Sequence, residues 1–136
     1  MNTKDKIRGQ ALVEFALAIP LVILIFTVLM DLGRVVFYYS SLTNGVREGT
    51  RYAIVHPTDT LADLTAIRNV VISTSSLNPA NLVVTAAVTG TDNDHITVNG
   101  TFTFRPVTPG LSLLLQPTGQ ITLRAQSTME ISPASQ

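Results

Sequence analysis

Glu14 is the residue in this chain whose type and place call for a chemical explanation. It lies just inside a long apolar run, where an isolated carboxylate costs about 2.5–3.5 kcal/mol on membrane-insertion scales. A carboxylate there is either close enough to the interface to reach water or it pairs with a cation brought by another molecule. Further on, Asp31 and Arg34 are three apart and can face each other on a helix, as can Glu48 and Arg51, while Arg47 and Arg51 share a face at four. Such pairs are usually solvated and are worth tenths of a kcal/mol, about 0.2–0.5 each. His56 and His95 have no ligand partners at metal spacing, and the chain has no cysteine, which excludes disulfides and thiolate metal sites. The segment Thr91-Asp-Asn-Asp-His95 lacks the further oxygen ligands and distal glutamate of a calcium loop and reads as an Asx-type turn. No Ser-His-Asp arrangement, phosphate-binding loop or metal-ligating cluster is visible. The sequence therefore predicts no enzyme, no catalytic residue, no metal and no cofactor.

The elements that must position Glu14 begin with a polar start, residues 1–9, carrying Lys4, Lys6 and Arg8 against Asp5. From Ala11 the chain is apolar, and Phe15–Met30 has no charged residue. As a helix this charge-free run is about 24 Å long at ~1.5 Å per residue. Ala11–Val13 on one side, with Leu32 and Gly33 on the other, extend it toward the ~30 Å of a hydrocarbon core. Basic residues before it and Asp31 after it put the N-terminus in the cytoplasm and the remainder outside. A secretory signal would have a shorter apolar core followed by small residues and a polar start. Here the run continues as amphipathic helix through Arg34-Val-Val-Phe-Tyr-Tyr39 to about Ile54, where His56-Pro57 should stop it. Pro20, lacking an N–H, should loosen the helix near 16–20. Gly45 and Gly49 make a small-xxx-small step that suggests close packing against the domain or a neighbour, since each glycine costs ~1 kcal/mol in a helix.

Residues 58–136 read as a small α+β unit. A second helix is predicted over Asp59–Ser73, with Thr60-Leu-Ala-Asp63 as a capping box and Leu61, Leu64, Ile67 or Arg68, and Val71 on its buried face. Asn78-Pro79 ends it. His95–Phe104 and Gln120–Ile131 alternate apolar and polar residues, and Asn81–Thr89 is a shorter third strand. One apolar and one threonine-rich face describe a half-buried antiparallel sheet covered by the two helices. In the proline-punctuated connection Pro106–Pro117, Leu111, Leu113, Leu114 and Leu115 are expected to fold back as core rather than to form a contact surface. Asn99-Gly-Thr101 is a formal glycosylation sequon. The fold class is thus α+β: a long N-terminal transmembrane helix leading into a second helix and a three-stranded antiparallel sheet.

Charge and composition limit the partners. Nine basic and nine acidic residues cancel, charged residues are 13% of the chain, and no basic stripe suits nucleic acid. The lysines are Lys4 and Lys6 alone, so no lysine of the outer domain can form an isopeptide bond, and no sortase-type sorting motif is present. A covalently built pilus is disfavoured on both counts.

One family joins these features. Glu14 is the fifth residue after Gly9, and Gly9-Gln-Ala-Leu-Val-Glu14-Phe15 resembles the class IV prepilin signal, with cleavage after glycine and a glutamate five residues into the mature chain. That stretch through Pro20, then Asp31-Leu-Gly-Arg34, then Arg47-Glu-Gly-Thr-Arg-Tyr-Ala53, is similar to TadE-like pseudopilins of tight-adherence (Tad) pilus systems. The resemblance implies a leader at 1–9, a transmembrane and assembly helix at 10–33 and an extracytoplasmic domain at 34–136. It implies cleavage between Gly9 and Gln10 by a prepilin peptidase. Glu14, with Phe15 and Pro20, would then serve assembly, its carboxylate neutralising the new α-amino group of Gln10 on a neighbouring subunit. Asp31, Arg34, Arg47, Glu48 and Arg51 form the family's helix motif. The implied partners are the peptidase, other pilins or pseudopilins through the N-terminal helix, an inner-membrane assembly platform and the lipid bilayer. The implied location is the cytoplasmic (inner) membrane, single-pass, with extrusion into a surface pilus. A minor pilin that primes or tips the filament is the leading expectation, because much chain remains beyond the helix. A major filament subunit is the alternative within that class, and a membrane-anchored binding or adhesin module is the competing one.

Overall fold

The computed structural model describes residues 3–56, 64–89, 95–108, 111, 115 and 117–131. The first helix, α1, runs without interruption over Thr3–Val55. It continues through Pro20, where the missing N–H leaves the Ala16 carbonyl without its usual donor. Three of its threonines turn their hydroxyls back on the helix: Thr27 donates to Ile23 O at 2.7 Å, Thr43 to Tyr39 O at 2.8 Å and Thr50 to Val46 O at 2.8 Å. A polar side chain thereby becomes tolerable on an apolar surface. The helix stops where the sequence predicts. His56 N donates to Tyr52 O at 3.1 Å, and the His56 ring stacks on Tyr52 with centroids 4.4 Å apart.

The second helix, α2, spans Leu64–Ser75. The predicted capping box, with Leu61, lies outside the described residues. Leu64, predicted on the buried face, is exposed; the face actually buried consists of Ile67, Val71 and Ser75. The helix ends on Ser76 in the left-handed region, φ 54°, with Ser76 N donating to Ile72 O at 3.1 Å. Leu77 then turns into the core, as in a left-handed C-terminal cap. Asn78 accepts from Ala80 N at 3.0 Å and caps a 3-10 turn, Pro79–Asn81, that opens the sheet.

Three antiparallel strands follow in the order β1-β2-β3: β1 Leu82–Thr89, β2 His95–Phe104 and β3 Ile121–Glu130. The register sets Phe102 between Leu82 and Leu123, and Ile96 between Val88 and Met129. On the opposite face Thr97 and Thr128 are register partners, and their hydroxyls meet at 2.9 Å. The apolar face lies against α1, whose Leu42, Val46, Thr50 and Ala53 are fully or nearly fully buried, and α2 packs beside α1. Of the leucines expected to fold into the core, Leu111 and Leu115 are half-buried and neither joins it, while Leu113 and Leu114 lie outside the described residues. Prolines deny this connection a regular register with the sheet, which keeps Leu111 and Leu115 at the edge of the core.

Glycines let the layers close. A Cβ at Gly49 would stand 2.5 Å from Val71 Cγ2, and one at Gly45 2.9 Å from the Val71 carbonyl oxygen, so the small-xxx-small step serves the α1–α2 contact. Gly100, at the centre of β2, faces α1, where a Cβ would stand 2.6 Å from Val46 Cγ2 and 2.9 Å from Leu42 Cδ1. Gly100→Ala should therefore lower stability by about 1–3 kcal/mol from overpacking, outweighing the ~0.5–1 kcal/mol that leaving glycine in a strand ordinarily returns. A urea midpoint in detergent checks this, and an unchanged or raised midpoint would show that helix and sheet can separate at no cost.

Candidate assembly helix and membrane boundary

The start of the apolar run presents itself fully. Every residue of Gln10–Met30 is exposed except the half-buried Thr27, so the domain leaves this part of α1 almost wholly uncovered. The helix is long and apolar enough to cross a membrane. Helical spacing places Gln10 one turn before Glu14, and Gln10 Nε2 donates to Glu14 Oε1 at 3.1 Å. Both side chains are exposed among Leu12, Val13, Phe15 and Leu17. A carboxylate with one neutral donor on a surface otherwise made of hydrocarbon is open to a cation from outside the chain.

Asp31 is a different site from the solvated pair that its spacing suggests. It is 3% exposed. Its Oδ1 faces Arg34 Nη1 at 3.4 Å, and its Oδ2 accepts from Val107 N at 2.9 Å, Thr108 N at 2.8 Å and Thr108 Oγ1 at 2.6 Å. The carboxylate thus ties the last residue of the charge-free run's boundary to the connection after β2. Thr108 is itself buried. Arg34 lies over the Phe104 ring at 5.3 Å and the Tyr38 ring at 5.9 Å, and Tyr38 is 5.2 Å from Phe102 and 5.6 Å from Phe104. Cation, aromatic cluster and carboxylate together fasten the base of the sheet to α1. The sequence points to Asp31 and Arg34 but not to Val107 and Thr108, which lie 76 and 77 positions beyond Asp31.

The remaining motif residues are surface charges. Arg47, Glu48 and Arg51 are exposed, with Arg51 Nη1 3.9 Å from Glu48 Oε2. In high dielectric such a pair is worth about 0–1 kcal/mol. Among the described residues no group of histidine, cysteine or carboxylate side chains could hold a metal.

The residues of the helix motif fall within one match. Residues 9–51 match the family of TadE-like proteins, from Gly9 across Glu14 and the Asp31–Arg34 step to Arg51. Over that stretch the chain is similar to TadE-like proteins. Comparison with curated proteins and with solved structures finds no match. The matched segment contains the exposed apolar run, the clamp carboxylate and Leu42, Val46 and Thr50 of the α1 face that covers the sheet. Val107, Thr108 and the three strands lie outside it.

Proposed function

We propose that this chain is a minor pilin or pseudopilin of a Tad-type pilus, with a structural rather than catalytic role. The observation that carries the reading is the TadE-like match, which begins at Gly9 and includes Glu14 on an exposed, otherwise apolar helix. In this reading a prepilin peptidase cuts between Gly9 and Gln10 at the cytoplasmic side of the inner membrane. The new α-amino group of Gln10 is then neutralised by Glu14 of another subunit, which selects the axial stagger between helices. Phe15 and the apolar residues after it supply the helix–helix surface. Pro20 leaves one carbonyl without its helical donor, where the helix can adjust as it leaves lipid. Arg47, Glu48 and Arg51 offer charges on the outer half of α1 to neighbouring pilins, and the assembly platform takes the cytoplasmic end. The folded unit beyond the helix favours the minor role over that of a main filament subunit.

Processing tests this reading against that of an anchored binding module, which has no use for losing nine residues. Co-expression with a cognate prepilin peptidase should yield a chain beginning at Gln10 by intact mass. Gly9→Val should abolish the cut, because a branched side chain replaces the hydrogen at the scissile residue. A leader retained on the natural chain in its native envelope would overturn the proposal.

A further inference from the structure

The Asp31 clamp does more than fasten the domain, because it fixes where Val107 stands. The Val107 amide is held at 2.9 Å by Asp31 Oδ2, yet its side chain is 66% exposed. It lines one side of a groove whose other wall is Ile23, Phe26, Thr27 and Met30 of α1, closed at one end by Asp31 and Arg34. Those four residues belong to the charge-free run, so the groove reaches from the Asp31–Arg34 step down into the segment read as membrane-spanning. From Arg34 to Ile23 this is about 16 Å at ~1.5 Å per residue. Thr27 adds little polarity, since its hydroxyl is turned to Ile23 O. At the outer lip stands the Arg34 guanidinium, partly exposed and leaning on Phe104.

We propose that the connection after β2 is a second membrane contact. On this account Val107 dips below the headgroups beside α1, and the groove is filled by the acyl chain of an outer-leaflet phospholipid whose phosphate lies near Arg34. Three observations select lipid as the occupant. The groove is continuous with the exposed apolar face of the span. Its α1 wall, at steps of three and four residues from Ile23 to Arg34, runs along one face of the helix, the direction in which an acyl chain lies. Its cation, Arg34, is at the end where a headgroup would be; Asp31 beside it takes one face of the guanidinium at 3.4 Å, but the Arg34 side chain stays 44% exposed, and a guanidinium on a long stem is suited to that level. The consequence is mechanical: the domain is held at two points, α1 and Val107, and so takes a set tilt on the membrane.

The inference rests on the membrane reading of α1, and the test separates the two. The chain has no cysteine, so Val107→Cys, Ile23→Cys and Gln126→Cys each give one labelling site. Full-length variants carrying an NBD fluorophore are reconstituted at low protein density in phosphatidylethanolamine–phosphatidylglycerol vesicles containing doxyl-labelled lipid. Position 107 should show blue-shifted emission and at least about twofold more quenching than position 126, with shallow doxyl groups most effective, as for a group just inside the hydrocarbon layer. Position 23 should respond to deeper labels. Quenching at 23 with water-like emission at 107 would overturn the second contact and leave the span intact. Water-like emission at both would overturn the membrane reading and this inference with it. Protection at 107, together with disulfide cross-linking of the unlabelled Val107→Cys variant under a mild oxidant at the same low density, would replace lipid by a second copy of the chain.

Discussion

Asp31→Ala should destabilise the folded domain by about 3–5 kcal/mol, the cost of removing one partner from a buried charged network. The substitution leaves two amides and the Thr108 hydroxyl without their acceptor, and it leaves Arg34 without its counter-charge. A small domain has only about 5–15 kcal/mol of total stability, so the variant should be close to unfolding at ordinary temperature. Asp31→Asn keeps an acceptor in place and should cost less, about 1.5–3 kcal/mol for the weaker hydrogen bonds. Arg34→Ala should cost about 1–2 kcal/mol at most, because its ion pair is half-exposed and its ring contacts are worth ~0.5–1 kcal/mol. Urea titration of the full chain in detergent, followed by tyrosine near-ultraviolet dichroism, ranks the three. Thr108→Val combined with Asp31→Ala should cost less than the sum of the single changes, since both remove the same bond. A loss under 1 kcal/mol for Asp31→Ala would mean that the connection after β2 does not need its anchor.

Glu14→Ala should abolish surface piliation while leaving the protein in the membrane and correctly cut. Insertion should be unharmed or improved, because an intramembrane charge costing about 2.5–3.5 kcal/mol is gone. Cleavage should persist, because the proposed scissile bond lies beside Gly9, outside the substitution. Assembly should fail, because the Gln10 ammonium would enter the helical bundle without its partner, a loss of about 3–5 kcal/mol. Glu14→Gln should fall between, retaining an acceptor without the charge. Piliation by microscopy, membrane level by immunoblot and N-terminal mass are read in parallel. Normal piliation by a well-expressed, correctly cut Glu14→Ala protein would reduce Glu14 to an interfacial charge. Loss of protein from the membrane would assign it to insertion or folding instead.

These two carboxylates differ in how far their surroundings could be anticipated. Glu14 is legible locally, because its oddity lies in the apolar residues on either side of it, and the helix leaves them exposed. Asp31 looks locally like any i,i+3 partner of Arg34, and that pair does form. Its stronger bonds come from Val107 and Thr108, whose own neighbours, Pro106 and Pro109, indicate a loop and nothing about its destination. The glycines divide in the same way. Gly45 and Gly49 stand out because glycine is costly inside a helix, whereas Gly100 gives no sign that a helix crosses it.

The amino-acid sequence by itself determined the long helix and its end at His56, the charge-free run, the placing of Glu14, and three strands with one apolar face. All of these follow from periods of two and 3.6 residues and from backbone rules that act within a few positions. Only the tertiary structure decided that α2 lies against Gly45 and Gly49, that β2 passes under Leu42 and Val46 at Gly100, and that Asp31 holds Thr108. Each is a contact between segments far apart in the chain, set by which surfaces bury the most area together, and periodicity carries no information about that choice.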